Sequence, residues 1–190
     1  MTFRGIPRPL LAFLGIAGAF SLADFSYAFL LLRAETVVGA TGAIGLYVVY
    51  NVVYASHAFP AGILSDRVGR KPVVLLGYIA FATMSTLLIL WTSALALGLA
   101  FVLYGLSYGM AEGTQRALVA DFAPTQIKAT VLGAYHSTVG VVKLASGLVA
   151  GFLWVTFRPE ATFAFGAVTA AVAAGALILW KPSLSPELAA

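Results

Sequence analysis

Apolar residues run along this chain in long blocks separated by brief polar punctuation, without the strict alternation that marks strands. Blocks of about 20 or more residues have the length that crosses a bilayer as helix. Such blocks occupy residues 9–33, 41–64, 72–91, 93–120, 126–157 and 161–180. The links between them are short, so sequential helices are predicted to be antiparallel neighbours. The pattern predicts an all-α membrane protein, a single domain over residues 1–190 with six transmembrane helices.

Composition agrees with the pattern. Apolar residues make up 61% of the chain and charged residues 9%, against roughly 25% charged in soluble domains. A soluble domain of 190 residues could not hide that much apolar surface. Arg4 and Arg8 ahead of the first block suggest a signal peptide, but the block is longer than a signal h-region and is read as a retained helix. The absence of cysteine excludes a disulfide framework, a thiolate metal site and a cysteine nucleophile, and no metal or cofactor is expected. The net charge of +4 is read as orientation in a membrane, not as nucleic-acid binding. Arg4, Arg8, Arg67, Arg70, Lys71, Arg116, Lys128 and Lys181 fall on one side, against Arg33 and Arg158 on the other. That excess predicts both termini in the cytoplasm. Trp91, Trp154 and Trp180 lie near block ends, where interfacial aromatics belong.

Ionisable residues are shared unevenly among the blocks. Asp24 lies in the first, His57 in the second, Glu112 and Arg116 in the fourth, His136 and Lys143 in the fifth. The third and sixth contain no charged residue at all and are predicted to be lipid-facing supports, because buried charges seek a bundle interior or a wet cavity. Asp24 and Lys143 both come out about 22 Å deep at 1.5 Å per residue. An unpaired charge at such depth costs at least ~2.5–3.5 kcal/mol, so the two are expected to share a polar cavity and to pair. His57, Glu112 and His136 come out near a common depth of about 12 Å and form a candidate proton path. The plainer alternatives are histidines bonded to backbone carbonyls, and Glu112 neutralised by Arg116 one turn away. Tyr47, Tyr50, Asn51, Tyr54 and His57 recur at helical spacing, and Tyr54 and Tyr108 are taken as cavity-wall residues. Gly133, Gly140, Gly147 and Gly151 mark a face of the fifth helix that another helix can approach closely, with the second helix of this or another copy as its expected partner.

The densest polar punctuation is Gly62-Ile-Leu-Ser-Asp66-Arg67-Val-Gly69-Arg70-Lys71-Pro72. Gly69 permits a tight reversal and Pro72 suits a first helical turn. Topology signalling explains the three cations but not Asp66 or the glycines. The spacing Gly-x-x-x-Asp-Arg-x-Gly-Arg-Lys resembles the signature loop of the major facilitator superfamily. Ser21-Leu-Ala-Asp24-Phe-Ser-Tyr-Ala-Phe-Leu-Leu-Leu-Arg33 is similar to the seventh helix of its bacterial drug-efflux-like members. Glu112-Gly-Thr-Gln-Arg116-Ala-Leu-Val-Ala-Asp121-Phe-Ala-Pro124 is similar to the tenth helix and its loop. The resemblance covers nearly the whole chain and matches the C-terminal half of a twelve-helix carrier built from 3+3 repeats.

That resemblance implies half of a secondary active transporter in the plasma (inner) membrane, multi-pass, moving a small organic solute by alternating access, with efflux and proton coupling as expectations. Its partners would be the solute, the lipid bilayer, and a second copy in a parallel homodimer or a missing N-terminal half. It implies a gate at Gly62, Asp66, Arg67, Gly69, Arg70 and Lys71, with Asp66 meeting the start of the fifth helix of the other half. A cytoplasmic charge relay of Glu112, Arg116 and Asp121 would accompany it, reached by Arg67 or Arg70.

Two other classes stay open. One is a non-transporting scaffold or a truncated carrier fragment. The other is an intramembrane serine protease, suggested by Gly105-Leu106-Ser107-Tyr108-Gly109. That chemistry needs an exposed or strained serine with a histidine in reach, and the sixth block has no histidine. No catalytic residue is therefore assigned. The aromatic, hydroxyl-rich wall points mildly to a hydrophobic or amphipathic solute.

Overall fold

The first apolar block does not fold as one helix. The computed structural model describes residues 7–181, so Arg4 lies outside the described residues. Helix α1 (Arg8–Ala23) stops at Asp24, and helix resumes only at α2 (Ala28–Val68). The Ala-Asp-Phe-Ser-Tyr stretch between them carries two residues whose side chains compete for local backbone groups. Ser26 Oγ accepts from the Ala28 N–H at 3.3 Å. On the other side of the break Ser146 Oγ donates to the Leu22 carbonyl at 2.7 Å. An interrupted helix is tolerated at membrane depth when freed backbone groups find partners this way. Phe25 turns into the core with no exposed surface, its ring 5.8 Å from those of Phe81 and Phe163. Gly166 makes room for it, since a Cβ there would stand 2.6 Å from the Phe25 ring.

A second difference from the sequence reading lies at Gly39. Helical geometry continues past Arg33 to residue 38, and Gly39, at φ 72° and ψ 171°, divides α2 into arms 28–38 and 40–68. That backbone conformation is essentially restricted to glycine, so one residue turns the chain where a longer loop was expected. The second arm also runs four residues past Leu64, to Val68. Gly69 (φ 94°) then links directly to α3 (Arg70–Leu90), which is followed by α4 (Ala94–Phe122), capped by Ser93 Oγ accepting from Ala96 N–H at 3.2 Å. A 3₁₀ turn at Thr125–Ile127 leads into α5 (Lys128–Thr156), and α6 (Pro159–Leu179) closes the described chain. Regular structure is all helical among the described residues. Five stretches are long and apolar enough to cross a membrane, the first being the 61 residues of Arg8–Val68.

Helix α4 is the centre of the packing, with α2 on one side and α3 on the other, while α6 joins α3 to α1 and α5 leans on α1. Small residues set these approaches. A Cβ at Gly77 of α3 would lie 3.0 Å from Ala111 of α4, and one at Gly105 of α4 would lie 2.9 Å from the Tyr50 carbonyl of α2. With no water to expel, close van der Waals contact of this kind drives helix association in lipid. The outward faces of α3 and α6 carry exposed Leu76, Ile79, Leu90, Val168, Val172 and Ile178. Exposed apolar rows also run along α2 (Ile44, Val48, Val52, Phe59) and α5 (Val141, Leu144, Leu148, Val155). A Cβ at Gly133, Gly140 or Gly147 would meet nothing within 4 Å. Of the glycine face of α5 only Gly151 meets another helix, the Phe29 ring of α2 at 4.0 Å, and the stretch from Gly133 to Gly147 is open.

The two ends of the bundle differ in charge. At one, Lys71 Nζ donates to the carbonyls of Ile178 (3.0 Å) and Trp180 (2.6 Å), and Trp180 Nε1 donates to the Pro9 carbonyl (3.1 Å). A cation on the last carbonyls of α6 satisfies groups that no further turn can reach. At the other, Arg33 pairs with Glu160 in the first turn of α6.

Candidate functional site

The break after α1 places the Asp24 carboxylate, 5% exposed, inside the bundle. From α5, Lys143 Nζ approaches Asp24 Oδ2 to 2.6 Å. From α4, the Tyr108 hydroxyl lies 2.8 and 2.9 Å from the two carboxylate oxygens and donates to them. Lys143 Nζ also lies 3.4 Å from the Tyr108 oxygen and 5.2 Å from its ring centre. Three helices thus meet at one charge-compensated cluster. A buried ion pair survives in low dielectric only when its remaining valences are met, and Tyr108 meets them for Asp24.

Around this cluster, α1, α4 and α5 leave a cleft of about 80 Å³. Its polar lining includes Ser21, Asp24, Tyr108, Glu112, Gln115, Arg116, Tyr135, His136 and Lys143, with Phe20 and Val139 as apolar walls. On that measure of volume one water needs about 10–15 Å³, so the space within this chain holds several waters or a polar group of similar size.

The sequence-assigned residues divide into those the fold gathers and those it separates. Asp24, Tyr108 and Lys143 meet directly, and Glu112, Arg116 and His136 line the same cleft. Glu112 and Arg116 do not neutralise each other: Glu112 Oε2 accepts from Tyr54 of α2 at 3.2 Å, and Arg116 makes no ion pair among the described residues. Helical adjacency permits the pair but does not compel it, and Tyr54 competes for the carboxylate. His57 stands apart on the exposed side of α2, its Nδ1 2.9 Å from the Val53 carbonyl one turn earlier. The layer of three titratable groups is therefore a layer of two beside the cleft. Nor is the relay of Glu112, Arg116 and Asp121 joined: Asp121 belongs to the signature loop. There Arg70 is the hub, with Nη1 2.6 Å from both Asp66 Oδ1 and Ser65 Oγ, and Nε 3.1 Å from Asp121 Oδ2. Arg67 is exposed, and Gly62 has no neighbour within 4 Å of a built Cβ.

A row of tyrosines that the sequence only partly suggested runs beside the cleft and enters its lining only at Tyr108, so Tyr54 reaches the site through Glu112 and not as a wall residue. Ring centres step from Tyr27 to Tyr47 (5.2 Å), Tyr50 (5.8 Å) and Tyr54 (6.2 Å), and from Tyr50 across to Tyr104 (5.1 Å) and on to Tyr108 (4.8 Å). Tyr104 was findable as one helical turn before Tyr108. Tyr27 joins the row only because the helix breaks beside it. Gln115 and Tyr135, whose hydroxyl lies 3.3 Å from Gln115 Oε1, gave no signal beyond polarity. Ser107 is fully buried and donates to the Gly77 carbonyl at 2.8 Å. The Gly-x-Ser-x-Gly pattern is thus a helix-packing surface.

Comparison with known proteins gives the lineage. The family model described as Major Facilitator Superfamily matches residues 10–189. The chain is 39% identical over 191 residues to a protein of Methanocaldococcus jannaschii described as an uncharacterised MFS-type transporter, covering 95% of this chain and 48% of that one. It is 24% identical over 158 residues to the hexuronate transporter of Bacillus subtilis, covering 82% of this chain and 37% of that one. A crystal structure of an autoinhibited POT family peptide transporter superposes with a TM-score of 0.71 at 16% identity, over 95% of this chain and 39% of that one. The chain thus spans about half or less of the length of these relatives. A transporter family model across nearly the whole chain, a relative at 39% identity and a shared helical fold together establish that this chain belongs to the major facilitator superfamily.

Proposed function

We propose that the chain forms one half of a secondary active transporter that moves a small organic solute across the plasma membrane by alternating access. In this reading it makes six crossings, Arg8–Val68 counting as two with Gly39 at the turn, and both termini are cytoplasmic. The observation that carries the proposal is the one-sided cleft: a charge cluster at an interrupted helix, beside only about 80 Å³ of space. Carriers of this architecture bind solute near the midplane, where discontinuous helices from two repeats face each other. The open faces of α2 and α5 suit a second half set against them. A parallel two-fold homodimer, α2 of one copy on α5 of the other, satisfies both faces at once. The hexuronate relative makes a sugar acid a reasonable first solute to test.

The chain has no cysteine, so paired cysteines at Tyr54 and Gly140 give a clean test. Oxidation in membranes is expected to yield a disulfide-linked dimer only when both are present. A chain that stays monomeric in bilayers, with no cross-link at any staggered pair, overturns the homodimer and leaves a separate N-terminal half as the partner. Coupling is assigned to Glu112 with His136, both lining the cleft. In proteoliposomes, D-glucuronate uptake is expected to follow an imposed pH gradient and to lose that dependence in Glu112→Gln. Uptake indifferent to a protonophore and to this substitution removes proton coupling from these residues.

A further inference from the structure

We infer that the cleft is a head-group subsite for an organic anion, in which Lys143 takes the solute's carboxylate and Arg116 supplies the attracting field. The inference rests on the transporter reading above and names its substrate class.

Hydrogen-bonding capacity decides the sign of the ligand. Asp24 is saturated: it is 5% exposed, and Lys143 and Tyr108 hold its oxygens at 2.6–2.9 Å. Lys143 is not. Its side chain is 38% exposed, and an ammonium has three N–H donors. Asp24 takes one at 2.6 Å and Tyr108 oxygen takes a long second at 3.4 Å, which leaves a third. Arg116 lines the same cleft with no ion pair among the described residues, and a guanidinium has five N–H donors. Gln115 uses its carbonyl on Tyr135, so its amide N–H groups are what it has left to offer. Against these donors the cleft sets one unsaturated carboxylate, Glu112, which already accepts from Tyr54. Formal charge in the cleft balances, Lys143 and Arg116 against Asp24 and Glu112, but both carboxylates already accept hydrogen bonds while N–H donors of the two cations are unused.

Size and register agree with a head group. The contacts of Tyr108 with Lys143 and of Gln115 with Tyr135 fix the antiparallel register of α4 and α5. Arg116 then stands about 12 Å along the axis from the level of Tyr108 and Lys143, toward the end of the bundle that holds Arg70. The cleft volume of about 80 Å³ admits a carboxylate with a few waters, and the solute's body would extend toward the second half. An anion approaching from the Arg70 end passes Arg116 first and reaches Lys143 at the bottom.

The test needs no knowledge of the natural solute. Val139 lines the cleft one turn before Lys143, and Val139→Cys places the sole thiol there. Its reaction rates with the anionic sulfonatoethyl and the cationic trimethylammonioethyl methanethiosulfonates are measured, and their ratio is normalised to that of a free small thiol. The normalised ratio is expected to favour the anionic reagent severalfold, because both carboxylates of the cleft are already engaged while N–H donors of Lys143 and Arg116 are not. Arg116→Gln is expected to lower it severalfold without touching an ion pair. Lys143→Gln alone strands Asp24, so the companion variant is Lys143→Gln with Asp24→Asn, which keeps the net charge and is expected to lower the ratio as well. Benzoate is expected to slow the anionic reagent where benzamide does not. A ratio at or below that of the free thiol, a ratio unmoved by both variants, or equal effects of benzoate and benzamide, including none, overturns the anion subsite. These rates do not depend on transport or on cross-linking, so the transporter reading can fail while they hold, and the reverse.

Discussion

Lys143→Ala is expected to destabilise the folded chain by about 3 kcal/mol, the low end for removing one partner of a buried ion pair, and to abolish transport. The cost arises on Asp24. Its side chain is 4% exposed and keeps only the Tyr108 hydroxyl when the ammonium at 2.6 Å is gone. One hydroxyl cannot offset a desolvated carboxylate, so Asp24 must take up a proton or draw water into the break after α1. Adding Asp24→Asn is expected to recover most of the lost stability, because an amide has no charge to strand and still accepts from Tyr108. Transport is not expected to return, since the double substitution restores packing and not the charges. Thermal unfolding in a mild detergent, run as a double-mutant cycle, checks the first statement, and uptake into proteoliposomes checks the second. Additive losses of stability across the cycle would show that the 2.6 Å contact between Lys143 and Asp24 contributes nothing.

How much of this was legible in the sequence depended on which force set each feature. The membrane helices were legible because apolar length alone determines them. The level of Asp24 with Lys143 was legible because residue counts from a common membrane face convert to depth. The break at Asp24 was not, because nothing in Ala-Asp-Phe-Ser-Tyr forbids helix. The interruption is held by tertiary partners, the Ser146 hydroxyl on the Leu22 carbonyl and the Phe25 ring in the space left by Gly166. Gly39 was passed over for a related reason: a glycine among apolar residues is as consistent with close packing as with a positive φ. His57 was grouped with Glu112 and His136 by depth, but depth says nothing of azimuth. The fold turns His57 to the outer side of α2, bonded to its own helix. Tyr54 and Glu112 met for the opposite reason. The small residues of α4 let α2 approach closely enough for a phenol to reach across.

Glycine-to-leucine substitutions at two sites are expected to have opposite outcomes, although the residue exchange is the same. At Gly105 an added Cβ would lie 2.9 Å from the Tyr50 carbonyl oxygen and 2.9 Å from Val53. One of those neighbours is backbone and cannot swing away. Gly105→Leu must push α2 off α4, and overpacking of this kind costs about 1–3 kcal/mol or more. It would also separate Tyr50 from Tyr104, now 5.1 Å apart, and Tyr54 from Glu112. Loss of folded, monodisperse protein is the expected result. At Gly140 nothing lies within 4 Å of an added Cβ, so Gly140→Leu is expected to leave the fold of a single chain unchanged. In the proposed dimer its effect falls on assembly, because a leucine on that face holds an approaching helix away, and the contact with Tyr54 of a second copy is expected to be lost. Ser107→Ala serves as the control between them. It removes one hydrogen bond of 2.8 Å to Gly77, worth about 1 kcal/mol, and transport is expected to persist. Size-exclusion profiles and thermal unfolding of the three variants separate these outcomes. A well-folded Gly105→Leu protein would show that α2 is not seated against α4 as the glycine contacts require. Transport lost in Ser107→Ala at full stability would return that serine to the chemistry of the site.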